Sequence, residues 1–135
     1  MSASSSAIET ARLIGKAADD KQAEEILALD VSERMPFSDI FVIASAASER
    51  QVKSIADEIE EQLLASGRKI LRQEGRAAGR WILLDFSDVI VHIQHGEERV
   101  FYALERLWQD CPAVDLGLPE HAAAESESED EEASA

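Results

Sequence analysis

Residues 79–95, GRWILLDFSDVIVHIQH, constrain the fold more than any other stretch of the chain. They predict two antiparallel strands around a two-residue turn at Ser87-Asp88, with Phe86 opposite Val89, Leu84 opposite Val91 and Ile82 opposite Ile93. Side chains alternate between faces along a strand. One face is then Ile82, Leu84, Phe86, Val89, Val91 and Ile93, with no polar atom, and it reads as core. The other carries Trp81, Leu83, Asp85, Ile90, His92 and Gln94. A large aromatic beside a carboxylate, an imidazole and an amide needs a separate explanation.

The rest of the chain supplies the layers around this hairpin. Ser6 and Glu9 read as a capping box opening a helix that runs to about Ala18. Leu27, Leu29 and Val31 alternate as one face of a strand. Residues 40–44, IFVIA, are continuously apolar and β-branched, as a central strand covered on both faces would be. Ser48 and Gln51 form a second capping box. The helix they open repeats Val52, Ile55, Ala56, Ile59 and Leu63 at helical spacing and stops at Gly67. KILRQEG reads as a short strand and RAAG as a connector. A last helix starts near Gly96, carries Val100, Phe101, Leu104, Leu107 and Trp108, and ends at Pro112. The fold class is α+β, a mixed β-sheet in the order α-β-β-α-β-β-β-α with helices mainly on one face. If all three helices cover one face, the Trp81 face is left open for docking. The bland alternative is that Trp81 packs beneath a loop or the first helix.

Charge divides the chain. From Pro112 onward stand Asp115, Glu120, Glu125, Glu127, Glu129, Asp130, Glu131 and Glu132, with no lysine or arginine, so about half of the net charge of −15 lies there. The expected organisation is a domain over 1–111 and a disordered acidic tail over 112–135. Overall acidity argues against gripping nucleic acid by charge alone. Cys111 is the only cysteine, which excludes an internal disulfide and a cysteine-based metal site. With no long apolar run, the chain reads as soluble and cytoplasmic.

Catalytic signals are weak. Asp39, Asp85 and Asp88 are the carboxylates that a metal-dependent nucleotidyltransferase-type enzyme would use, but none forms the D-x-D pair that such a site needs. His92 and His95 fall on opposite faces of a strand and cannot chelate together. His95, beside Gly96, reads instead as helping to start the last helix. No nucleophile motif or phosphate-cradling glycine loop is present, and neither a metal nor a cofactor is expected. Arg68, Lys69, Arg72, Arg76 and Arg80 cluster. They are either a charged, protected sheet edge or a phosphate-contacting rim, with Arg76 and Arg80 nearest Trp81.

The motifs SDIFVIASAASERQVKSIADEIEEQL, EGRAAGRWILLDFSDVIVHIQH and FYALERLW resemble the ribosomal silencing factor S family, also called Iojap-like. The likeness covers about residues 8–110 and is specific: W-x-L-x-D-x-x-D-V-x-V-H followed by F-Y-x-L-E-x-L-W. The family often has Gly where Ser87 stands, and the acidic tail lies outside the shared pattern. The resemblance implies a nucleotidyltransferase-like fold without catalysis. It also implies binding to protein fourteen of the large ribosomal subunit, which obstructs joining of the small subunit when nutrients run short. Trp81, Asp85, His92, Tyr102 and Trp108 match motif positions. The expected partner-binding set is Trp81, Leu83, Asp85, His92, Gln94 and Tyr102, with Arg76 and Arg80 as a rim towards ribosomal RNA. Family members can self-associate, so a homodimer off the ribosome is a further implied state.

Overall fold

The computed structural model describes residues 2–118. It orders them as α1 (Ser5–Asp20), β1 (Glu24–Asp30), β2 (Ile40–Ala46), α2 (Glu49–Ala65), β3 (Arg72–Glu74), β4 (Trp81–Asp85), β5 (Val89–His95), α3 (Gly96–Tyr102) and α4 (Leu104–Leu107). The five strands form one mixed sheet in the order β1-β2-β5-β4-β3, with β2 and β5 parallel and the other pairs antiparallel. The wholly apolar β2 lies inside the sheet and is buried along its length. The hairpin has the expected register: Ile82 faces Ile93, Leu84 faces Val91, and the Phe86 amide donates to the Val89 carbonyl at 2.9 Å.

The first face of the sheet holds the main core. Val42, Ile82, Leu84, Val91 and Ile93 pack there against Ala11 and Ile14 of α1 and Val52, Ile55, Ile59 and Leu63 of α2. Helix α2 begins as its capping residue predicts, with Ser48 Oγ accepting from the Gln51 amide at 3.1 Å. The Gln51 side chain does not complete the box. It donates to the Lys21 and Gln22 carbonyls, tying the end of α1 to the start of α2. Helix α1 is capped by Ser4 rather than Ser6. Tertiary contacts place this start: the Ala3 amide donates to Asp30 and the Ser4 amide to Asp39, while Glu9 turns to Arg68.

Two further expectations are corrected. The last helix breaks at Ala103, which adopts a left-handed conformation (φ 45°, ψ 54°), and its two short pieces lie on the second face, not with α1 and α2. Arg99 of α3 is buried there and donates to Ser45 Oγ at 3.4 Å, and Trp108 packs edge-on against Phe41. On these two pieces Val100, Phe101 and Leu107 are exposed. The second correction concerns residues 112–118, which composition assigned to the tail. They run beside β1: the Pro112 carbonyl accepts from the Asp30 amide and the Val114 amide donates to Ala28, both at 2.8 Å. Leu116 then buries against α1, where a Cβ on Gly15 would lie 3.1 Å from its Cδ1. The remainder of the acidic tail lies outside the described residues.

Candidate functional site

Strand alternation places Trp81, Leu83 and Asp85 of β4 on the second face, with Gln94, His92 and Ile90 of β5 opposite them in turn. Trp81 leans diagonally, so that its Nε1–H donates to His92 Nδ1 at 3.1 Å. His92 is therefore a neutral imidazole whose Nδ1 accepts. Burial pushes its pKa down to about 4, because a charged ring there would lose its water.

An aromatic row grows from this pair. Tyr102 lies 4.8 Å from Trp81 on one side. On the other, Phe41 meets His92 at 5.5 Å and Trp108 at 4.9 Å. The Arg34 guanidinium covers Trp108 at 4.4 Å and bonds Asp110 at 2.6 Å, a stacked and paired arrangement that suits arginine. The row spans the sheet from β4 to α4. Beyond Tyr102 it continues outward to Phe101, 4.9 Å away and 79% exposed. Gly75 sets the entry to β4. It has φ +85°, and a Cβ there would stand 2.0 Å from the Trp81 carbonyl oxygen, so no side chain fits without moving the strand.

The structure divides the expected partner-binding residues. Trp81, Leu83 and Asp85 are half-buried and Tyr102 is exposed, but His92 is buried and Gln94 fully so. The crossing of the last helix to this face explains why a partner cannot reach Gln94 directly. Asp85 is engaged within the chain, accepting from the Ser87 amide at 2.8 Å and from Arg72 at 3.2 Å. The first bond supports the hairpin turn, where Ser87 has φ 82°. Arg76 bonds Asp57, Glu60 and Gln73. Arg80 bonds Glu49, Glu97 and Glu98 and holds the Glu97 carboxyl below its usual pKa. These arginines staple the β3–β4 connector to α2 and α3.

The sequence reading placed Val100 and Phe101 on the apolar side of the last helix and not in the docking set, and nothing marks Ala103 as a break. Phe41 was recoverable from the alternation within β2. Arg34 carried no signal. His95 does start α3, its Nδ1 accepting from the Glu97 amide at 3.1 Å. Among the described residues, no group of three or more His, Cys, Asp or Glu side chains could hold a metal ion. The Asp39 carboxylate accepts from the Ser4 amide. A groove of about 670 Å³ runs along α1 to Leu118, and its Arg12, Lys16 and Glu9 are already bonded to the Asp115 carbonyl, Asp20 and Arg68.

Residues 4–135 match the family model described as ribosomal silencing factor during starvation. The chain belongs to the ribosomal silencing factor family. A Bacillus subtilis ribosomal silencing factor, RsfS, is 43% identical over 105 residues, covering 78% of this chain and 89% of that protein. A crystal structure from Bacillus halodurans superposes with a TM-score of 0.71 at 40% identity, covering 79% of this chain and 97% of that one. A mouse protein named for mitochondrial assembly of the ribosomal large subunit is 29% identical over 91 residues, covering 65% of this chain and 40% of its own. Membership of the ribosomal silencing factors places the chain in translational regulation. No described helix is long and apolar enough to cross a membrane.

Proposed function

We propose that this ribosomal silencing factor docks its aromatic face on protein fourteen of the large ribosomal subunit and sterically blocks small-subunit joining in the cytoplasm when nutrients run short. The observation that carries this reading is the exposed pair Phe101-Tyr102 continuous with half-buried Trp81. Contiguous exposed aromatics on a small domain mark interaction surfaces, and interface hot spots are rich in Trp and Tyr. The mouse relative's name supports a large-subunit partner. A standard interface takes about 800 Å² from each partner, roughly a tenth of the 7389 Å² accessible surface described here. Obstruction needs only that this area overlap the surface where the subunits meet. Arg76 and Arg80 would have to exchange carboxylate partners for RNA phosphate, so the proposal rests on the aromatics. The same exposed residues would also serve a homodimer off the ribosome.

Co-sedimentation with isolated large subunits tests the reading. Wild type should pellet with them, and Trp81→Ala and Phe101→Ala should remain in the supernatant. Undiminished binding by both variants would show that the subunit uses another surface.

A further inference from the structure

We propose that His92 is a positioning residue for docking: its Nδ1 holds the Trp81 indole in the orientation that the partner meets. The inference rests on the partner-binding reading of Trp81 and adds a residue that the partner does not touch. His92 retains only 9% of its accessible surface, so whatever it contributes must pass through a neighbour. That neighbour is Trp81, whose Nε1–H ends on Nδ1 at 3.1 Å.

Trp81 is the first residue of its strand and half-buried, so packing alone leaves its indole room to turn. Two contacts restrict it. Tyr102 lies against the ring at 4.8 Å, and the hydrogen bond to His92 fixes the edge carrying the N–H. A half-buried indole N–H ordinarily finds an acceptor, and here that acceptor is itself held in place. The imidazole meets the Phe41 ring at 5.5 Å, and Phe41 is backed by Trp108 at 4.9 Å. Pre-orienting a side chain raises affinity by increasing the fraction of molecules ready to bind, with no new contact to the partner. His92 does this for Trp81.

The full chain tests it in His92→Leu and His92→Asn, each also made in a Trp81→Phe background. Asparagine places its Oδ1 near the position of Nδ1 and so keeps the acceptor; leucine removes it. Binding is read as the dissociation constant for isolated large subunits. Orientation is read from the indole N–H signal of Trp81 in nitrogen-resolved NMR spectra, assigned by its disappearance in Trp81→Phe. His92→Leu should weaken binding about tenfold, equivalent to one ordinary hydrogen bond to a neutral group, and should move the indole signal and speed its exchange with solvent. His92→Asn should restore both. In the Trp81→Phe background, with no N–H to hold, His92→Leu should weaken binding no further. Wild-type affinity in His92→Leu, with Trp81→Ala inactive, would overturn the positioning role and leave the docking face standing. An equal loss in the Trp81→Phe background would also overturn it, because His92 would then act without the indole. Wild-type affinity in Trp81→Ala would remove the docking reading itself and the positioning role with it, whatever the indole signal showed.

Discussion

At the scale of single residues, His92 gives the domain a specific acid sensitivity. Its folded pKa of about 4 lies below the ordinary 6.5. Between those values the unfolded chain takes up a proton that the folded imidazole refuses, so stability falls as pH falls through the window and levels off below about 4. From pH 7 to pH 5 the loss should be about 2 kcal/mol. Urea unfolding at the two pH values should show this difference in wild type and not in His92→Asn, whereas an equal slope in both would contradict it. Phe86 and Trp81 should separate folding from binding. Phe86 is buried on the all-apolar face, and Phe86→Ala should cost about 3–5 kcal/mol in denaturant titration. Trp81→Ala should leave a cooperative fold and weaken large-subunit binding roughly 30- to 1,000-fold. Strand alternation made these two faces legible. It could not show that His92 and Gln94 are buried on the second face, because alternation assigns a side chain to a face and says nothing of what covers that face.

At the scale of elements, the parts with strong periodicity were legible: α2, with its stripe from Val52 to Leu63, β2 and the β4–β5 hairpin. The parts set by long-range contact were not. The start of α1 is fixed by Asp30 and Asp39, and the α3–α4 break occurs at an alanine, which carries no turn signature. That conformation is strained for any residue with a Cβ, as is Ser87 at φ 82°. Ala103→Gly and Ser87→Gly should each raise stability by about 0.5–1 kcal/mol, because relieved strain outweighs the entropy added to the unfolded chain. Denaturation midpoints check this. A fall for Ser87→Gly would mean that the Asp85 bond to the turn depends on the serine backbone geometry. Gly75→Ala should do the opposite, because its methyl would collide with the Trp81 carbonyl, and it should lower both the midpoint and large-subunit affinity.

For the whole molecule, the acidic composition after Pro112 concealed a short apolar anchor. Val114 and Leu116 are few among many acids, yet they extend the sheet edge and fill the space over Gly15. A chain ending at Leu118 should melt within a degree or two of full length, since residues 119–135 contain no Val, Ile, Leu, Met, Phe, Tyr or Trp to bury. One ending at Cys111 should melt about 5–10 °C lower, the shift that about 1–2 kcal/mol produces in a domain of this size. Family membership was legible from the W-x-L-x-D and F-Y-x-L-E motifs, whereas the exposed Val100 and Phe101 emerged only from the fold. Obstruction of subunit joining is tested by order of addition in a cell-free translation reaction. Added before initiation, the purified protein should inhibit synthesis, and Trp81→Ala should lose most of that effect. Added after subunits have joined, the wild type should inhibit weakly, because its site is covered. Equal inhibition of preformed, elongating ribosomes would rule out obstruction of joining.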